Sequence, residues 1–579
     1  MPFDARPPRE SDDDAGTCFA AVDQSVHGTL AELTSGQSPV HAAKAWLDWA
    51  SHLSMSPGKQ LDMALRASEA ALRLWNYAYC ATTSDAKSLE PAPANRRFAH
   101  EGWRDWPYNV LQQAYFASED WWRSATTGIR GMSPHHERFV GFGVQQMLHA
   151  LSPANFLLTN PELWRATAAR GGSNLIEGAQ RLAADAHDMM VGRSAPADSE
   201  FAVGKNLAIT PGRVVFRNQL IELIQYDPAT PSVYPEPVLI VPAWIMKYYI
   251  LDLQPKNSLI KFLVDHGHTV FAISWKNPTD EHRDLGMDEY RRSGVMAAFD
   301  VIERLMPDRK IHACGYCLGG TMLSIAAAAM AREGDDRIAS MTLFAAQMDF
   351  AEPGELKLYI NDTSLSWLDG LMATRGYLDG SRMGGAFQML RADDLLWGPF
   401  VRRYVLGETD HPNDLMTWNA DQTRMPYRMH TEYLHSLFLR NELSQGHFVV
   451  DGRPVALCDI RVPIFALGTS HDHVAPWHSV FKVNLLTRSD VTFVLASSGH
   501  NAGVVSEPGH RGRTYQMLTK AADGRYVDPD SWSSLAPHHE GSWWFDWQRW
   551  LAERSSEQVA PPVPGEALCD APGTYILER

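Results

Sequence analysis

Several absences narrow the reading of this chain before any motif is considered. Six cysteines in 579 residues make no disulfide framework. No uninterrupted apolar run reaches the roughly 18 residues that a membrane-crossing helix needs, so no transmembrane segment is expected. Positive charge is in deficit: 52 Lys and Arg stand against 68 Asp and Glu, for a formal charge of −16. That balance argues against nucleic acid or an anionic membrane as the main partner. It leaves room for a local basic patch that meets a phosphorylated substrate. No basic-then-apolar signal segment opens the chain, so the expected location is the cytoplasm. No Gly-rich nucleotide fingerprint and no metal-ligand cluster stands out. Cys314 and Cys317 form one Cys-x-x-Cys pair without a second, so no metal is expected.

What is present fits a globular protein with a sizeable core: 45% hydrophobic and 21% charged residues. The 19 tryptophans are expected mostly in that core, with some along an apolar substrate path. Three regions follow from texture. Residues 1–30, with the acidic run Pro7-Pro8-Arg9-Glu10-Ser11-Asp12-Asp13-Asp14, read as a disordered tail. Residues 31–205 read as a helical N-terminal domain. There Ala42, Trp46, Trp49 and Leu53 share a helix face, and Ser133-Pro134 and Asn160-Pro161 cap helix starts. Residues 206–579 alternate strand-like and helical runs, the signature of an α/β fold. Strands are expected at 238–242, 269–275, 338–344, 462–468 and, last in the core, 491–496. On the order of a hundred residues separate the third from the fourth, far too many for a simple crossover. Residues 351–455 are therefore read as an inserted helical lid.

Gly315-Tyr316-Cys317-Leu318-Gly319 closes a short apolar strand and opens a small-residue helix. It is a nucleophile elbow with cysteine where a hydrolase usually has serine, and it marks the fold as an α/β-hydrolase core. The side chain would stand at a helix N-terminus, where a thiolate is stabilised. In this fold the acid and the histidine follow on loops after later strands. Asp472 lies just beyond strand 462–468, and His500 just beyond strand 491–496. Cys317, Asp472 and His500 are thus the expected catalytic residues. His473 and Asp349 are competitors for base and acid; Cys314 could pair with Cys317. Backbone N–H groups of Leu318 and Ile245 are expected to hold an oxyanion.

Cysteine suits a thioester donor. Thiol attack on a thioester yields another thioester, so the acyl group keeps its driving force until an alcohol takes it as an ester. A lid would keep water from competing.

The motifs together resemble polyhydroxyalkanoate synthases, the polyester polymerases of bacterial storage granules. The matching segments are 241–255, Ser274-Trp275-Lys276-Asn277-Pro278, the elbow 315–321, Asp472-His473-Val474-Ala475-Pro476-Trp477, Gly499-His500-Asn501-Ala502-Gly503-Val504-Val505 and Ala571-Pro572-Gly573-Thr574-Tyr575. The resemblance implies polymerisation of (R)-3-hydroxyacyl-CoA with release of CoA, and no cofactor beyond the CoA carried by the substrate. It puts the growing chain on Cys317, thiol activation on His500 and hydroxyl activation on Asp472. Arg391 and Trp477 become candidates for substrate binding. It further implies a homodimer, of the single-chain (class I) type, at the surface of a polyester granule. The chain departs from the usual pattern at Met246, Asn501 and Ser506-Glu507-Pro508. Two other readings remain open on the residues alone: a cysteine hydrolase of esters, lactones or thioesters, and a non-enzymatic granule-binding protein.

Overall fold

The structure is a computed structural model that describes residues 26–28, 30, 31, 34, 38–82, 95–191, 200–390, 392–409 and 413–579. Residues 1–25 of the expected tail lie outside the described residues. Its last residues depart from expectation: the helical residues 26–28 and 30–31 dock on the helix Asp362–Arg375. His27 stacks on Trp367 at 5.2 Å, and Ala31 is buried against Trp367 and Leu371.

Helices Pro39–Ser54, Pro57–Thr82, Tyr108–Thr126, Pro134–Ala150, Pro161–Ala169 and Ser173–Met190 occupy the N-terminal region. Asn160 caps as expected, its side chain accepting from the Glu162 N–H. Ser133 stands at its N-cap position without a side-chain bond; its own N–H instead donates to Asp48 Oδ2 at 3.2 Å. The buried stripe of Pro39–Ser54 is rotated from the expected face. His41 and Ala45 are buried, whereas Trp46 is 39% exposed. The reason is a histidine cluster: the His41 ring packs 5.1 Å from His135 and 4.7 Å from Phe139 on the helix Pro134–Ala150. Hydropathy alone gives no reason to place a histidine inward.

The core of the remainder is one sheet. Read across, its strands are His538–Glu540, Thr514–Lys520, Val491–Ala496, Ile464–Thr469, Ile338–Phe344, Ile311–Tyr316, Tyr234–Val241, His268–Trp275, Ile221–Tyr226, Gly212–Arg217 and Cys569–Asp570. The six central strands, from Val491–Ala496 to His268–Trp275, pair in parallel. Every pairing outside them is antiparallel. The sheet therefore does not end at Val491–Ala496. Thr514–Lys520 continues it, with the half-exposed pattern of a strand near an edge, which hides it from a search for continuous apolar runs.

Between Phe344 and Ile464 stand the helices Asp362–Arg375, Gly380–Leu390, Asp414–Ala420 and Tyr427–Tyr433. After the sheet, Trp543, Trp544, Trp547 and Trp550 are buried around the helix Trp544–Ala552. Two of them brace the segment His500–Val504: the Trp543 indole donates to Gly503 O at 2.9 Å and that of Trp544 to Val504 O at 3.0 Å.

Candidate active site

Strand Ile311–Tyr316 runs into Cys317, whose backbone adopts φ 52° and ψ −125° before the helix Leu318–Glu333 begins. A non-glycine residue at positive φ is strained and persists only where its surroundings hold it. Here the Cys317 N–H donates to Phe344 O at 2.9 Å, and the Cys317 carbonyl accepts from the Gly320 N–H at 2.9 Å. The flanking glycines follow from close approach. A Cβ on Gly319 would lie 2.1 Å from Val241 O, and one on Gly315 2.3 Å from the Gly320 Cα. No side chain fits at either point.

Asp472 and His500 reach the elbow from just beyond Ile464–Thr469 and Val491–Ala496, the two strands that follow Ile338–Phe344 across the sheet. His500 Nδ1 lies 2.7 Å from Asp472 Oδ2. The carboxylate is held on every side: Oδ2 accepts from the Thr469 hydroxyl at 2.9 Å, and Oδ1 from the N–H groups of Val474 and Ala475 at 2.9 and 2.8 Å. Burial works against its charge, but the charge and hydrogen bond of His500, with the bonds from Ala475 and Thr469, outweigh it and keep the carboxyl below its ordinary range. Burial likewise disfavours a charged His500, yet the charge and hydrogen bonding of Asp472 and Cys317 raise its proton affinity well above the ordinary 6.5. The three side chains therefore form one interacting group. The Tyr316 ring packs against that of His500 at 5.6 Å between centroids, and its hydroxyl donates to Asn501 Oδ1 at 2.7 Å. The unusual Asn501 thus has a partner in the elbow itself.

A cavity of about 160 Å³ opens above the sulfur, lined by Cys317, Leu318, Ile245 and residues of the segment between Phe344 and Ile464 that include Leu356, Leu368 and Tyr433. Leu318 is the first helical residue after Cys317, where an N–H has no acceptor inside the helix. The loop carrying Ile245 is pinned from three sides. The Trp418 indole donates to Lys247 O at 2.7 Å, the Thr423 hydroxyl donates to Trp244 O at 2.9 Å, and Lys247 Nζ donates to Ile576 O at 2.6 Å. His430 also lines the cavity, and burial pulls its proton affinity down to about 3. His41 and Phe139 of the N-terminal region complete the wall. None of these last three carries a signal in its local sequence; the chain brings them there from afar.

The other candidates fall elsewhere. Trp477, expected at the substrate, instead opens the short helix Trp477–Phe481 and packs among Phe481, Phe493 and Trp532, away from the cavity lining. Arg391 lies outside the described residues. Asp349 is taken up by the Lys482 ammonium at 3.3 Å and the Ala351 N–H at 2.8 Å. His473 borders a separate cleft. Cys314 is a free thiol buried in its strand, and that burial pushes its pKa well up. Among the described residues no group of three or more His, Cys, Asp or Glu gathers to hold a metal. No helix among them is long and apolar enough to cross a membrane.

Comparison with known proteins gives three family matches. Residues 94–263 match the family described as poly-beta-hydroxybutyrate polymerase (PhaC) N-terminus, residues 17–59 match poly-beta-hydroxybutyrate polymerase N terminal, and residues 236–505 match the alpha/beta hydrolase fold. The poly(3-hydroxyalkanoate) polymerase subunit PhaC of Rhizobium meliloti is 42% identical over 84% of this chain and 81% of its own length. That of Cupriavidus necator is 34% identical over 92% of this chain and 91% of its own. The poly(3-hydroxyalkanoate) polymerase of Methylorubrum extorquens is 41% identical over 84% and 81%. Among solved structures, a monoacylglycerol lipase from Paleococcus ferrophilus aligns with 58% of this chain and 99% of its own at 13% identity, with a TM-score of 0.32.

Proposed function

The chain belongs to the poly(3-hydroxyalkanoate) polymerase family, and on that premise we propose that it polymerises (R)-3-hydroxyacyl-CoA through an acyl thioester on Cys317. It is an acyltransferase on an α/β-hydrolase core. The observation that carries the mechanism is the position of Cys317, which faces the Asp472–His500 pair on one side and an apolar cavity under the lid on the other.

The steps follow from that geometry. With Nδ1 engaged by Asp472, Nε2 of His500 takes the thiol proton. The sulfur attacks the thioester carbonyl, and the developing oxyanion meets the N–H groups of Leu318 and Ile245. The C–S bond to CoA breaks, and CoA leaves with the proton from His500. The acyl group is now a thioester of Cys317, with little free energy lost. A 3-hydroxyl then gives its proton to His500, supported by Asp472, and its oxygen attacks the Cys317 thioester. An ester forms, the released sulfur recovers the proton from His500, and the cycle repeats. The apolar cavity and the lid exclude the water that would hydrolyse the thioester. No cofactor enters, since CoA arrives with the substrate and leaves as product.

On the same family grounds, the working form is a homodimer at a polyester surface in the cytoplasm. One observation supports the surface contact. Leu61, Leu65, Leu72, Trp75 and Tyr79 lie on one face of the helix Pro57–Thr82, each at least 56% exposed.

Incubation with 3-hydroxybutyryl-CoA tests the reading. Insoluble polyester with stoichiometric CoA release is expected; free 3-hydroxybutyrate alone would make the protein a cysteine hydrolase.

A further inference from the structure

The loop that carries Asp472 has two faces of opposite character. Val474 and Ala475 line the apolar cavity, whereas His473 and Pro476 line a second, open cleft of about 1660 Å³. The root of the lid repeats the pattern, with Leu356 on the cavity and Lys357 on the cleft. So does the helix Pro134–Ala150, with Phe139 on the cavity and Arg138 on the cleft. Ser498 and Gly499, which lead into His500, also border the cleft. The catalytic loops therefore form a partition between a dry compartment that holds Cys317 and a wet one.

The wet side gathers cations on a chain of net negative charge. Arg138 from the N-terminal region and Lys357 from the segment after Phe344 line the same cleft where those two segments meet, Phe142 packing on Tyr359 at 6.0 Å. Burial first, then the Arg138 charge, lowers the proton affinity of the Lys357 ammonium. Neither forms a direct salt bridge among the described residues, although the carboxylates of Asp349 and Glu352 act on Lys357 and offset part of that effect. Arg138 Nε donates to Pro134 O at 3.3 Å, and Lys357 Nζ donates to the carbonyls of Phe350 and Ala351 at 3.3 and 3.0 Å. Four glutamates also line the cleft among the described residues: Glu119 pairs with Arg97 at 3.2 Å, Glu137 accepts from the Gly128 N–H at 2.9 Å, Glu352 pairs with Lys482 at 3.2 Å, and Glu355 stands beside them. Two like charges on one cleft, hydrogen-bonded only to carbonyls and only partly offset by the nearby carboxylates of Asp349 and Glu352, suit a bound anion.

We propose that this cleft receives the nucleotide end of the CoA thioester, with Arg138 and Lys357 on its phosphate oxygens, while the acyl end enters the cavity beside Cys317. The inference rests on the hydroxyacyl-CoA reading above and adds to it a binding site with a residue from the N-terminal region. The partition then sorts the substrate by solubility. The charged half stays in water, and only the thioester and its acyl chain cross to the dry side. The volume is ample, since pockets for drug-sized ligands run to about 300–1,000 Å³.

The test measures CoA binding by calorimetry to the wild type, Arg138→Ala, Lys357→Ala and Lys357→Arg. Kinetics are followed in parallel with 3-hydroxybutyryl-CoA and with the phosphate-free 3-hydroxybutyryl-pantetheine. Each Ala variant is expected to bind CoA roughly tenfold more weakly, the scale of one charge-assisted hydrogen bond. KM should rise for the CoA thioester with kcat unchanged, the pantetheine thioester should be unaffected, and Lys357→Arg should retain binding. Unchanged CoA binding in both Ala variants, or an equal loss with both donors, would overturn the site. A wild type that fails to bind CoA overturns it as well. A wild type that binds CoA through these residues yet makes no polymer would instead overturn the polymerase reading and leave the cleft standing.

Discussion

His500 Nδ1 and Asp472 Oδ2 lie 2.7 Å apart, in a pair that joins the ends of two adjacent parallel strands. With that nitrogen committed, the other ring nitrogen is the one left for the sulfur of Cys317. Burial opposes charge on both groups, and each offsets the cost for the other. The ring thus holds a proton well, as a group that has just taken one from a thiol must.

Cys317→Ala should leave a folded protein that makes no polymer. Substrate labelled in its acyl group should attach to the wild type at Cys317 and be found there by peptide mapping. Cys314 should carry none, because it is buried in the strand and its thiol resists ionisation. Label on Cys314 would remove the elbow from the mechanism.

Asp472→Asn should separate the two half-reactions. A thiol near pKa 8.5 is partly ionised at neutral pH, whereas an aliphatic alcohol is not. First-turnover CoA release should therefore persist, while elongation falls by about a hundredfold, within the range of general base catalysis. Rapid-quench measurement of CoA, followed by polymer-length analysis, checks this. Equal loss of the first CoA and the later ones would contradict it.

The same pair should make stability depend on pH. His500 is raised from its ordinary 6.5, so its contribution is complete below that value and disappears as pH rises through the folded pKa. Asp472 is lowered from 3.8, so its contribution is complete above that value and disappears as pH falls through the folded pKa. The difference in Tm between the wild type and Asp472→Asn should be widest between those two ordinary values and narrow on either side. A gap that stays constant from pH 5 to pH 9 would show that the pair is not ionised.

Gly319→Ala should fail at the backbone. The new methyl would lie 2.1 Å from Val241 O, and neither strand nor helix can retreat without moving Cys317. A loss of about 1–3 kcal/mol or more in stability is expected from such overpacking, read by denaturant titration, together with loss of acylation. Full activity in this variant would mean that the elbow is looser than its contacts.

Phe139→Ala should change which acyl chains are accepted. The ring belongs to the N-terminal region yet forms part of the cavity wall, so removing it lengthens the space beside Cys317. The ratio of kcat/KM for a longer 3-hydroxyacyl-CoA over 3-hydroxybutyryl-CoA should rise about tenfold, the scale of a few methylenes' worth of pocket. An unchanged ratio would take the N-terminal region out of substrate selection.

Much of this protein can be read directly from residue order, where the physics is local. The elbow is one such case: a turn that brings strand and helix backbones into contact demands Gly315 and Gly319 within a few residues of Cys317. The parallel strands are another, because burial on both faces requires near-continuous apolar runs such as Ile338–Phe344 and Val491–Ala496. Asp472 and His500 could be located because the fold puts them just past such runs.

What depends on distant packing could not be found in this way. The half-exposed strand Thr514–Lys520 has no continuous run to betray it. His41 faces inward because His135 and Phe139 arrive from nearly a hundred residues away, and Trp477 turns from the substrate because Phe493 and Trp532 offer it a core. The pairing of Arg138 with Lys357 belongs to the same class. Each is an ordinary surface cation in its own segment. Only the approach of the N-terminal helices to the segment after Phe344 makes them neighbours, since electrostatic repulsion and attraction act through space and take no account of separation along the chain.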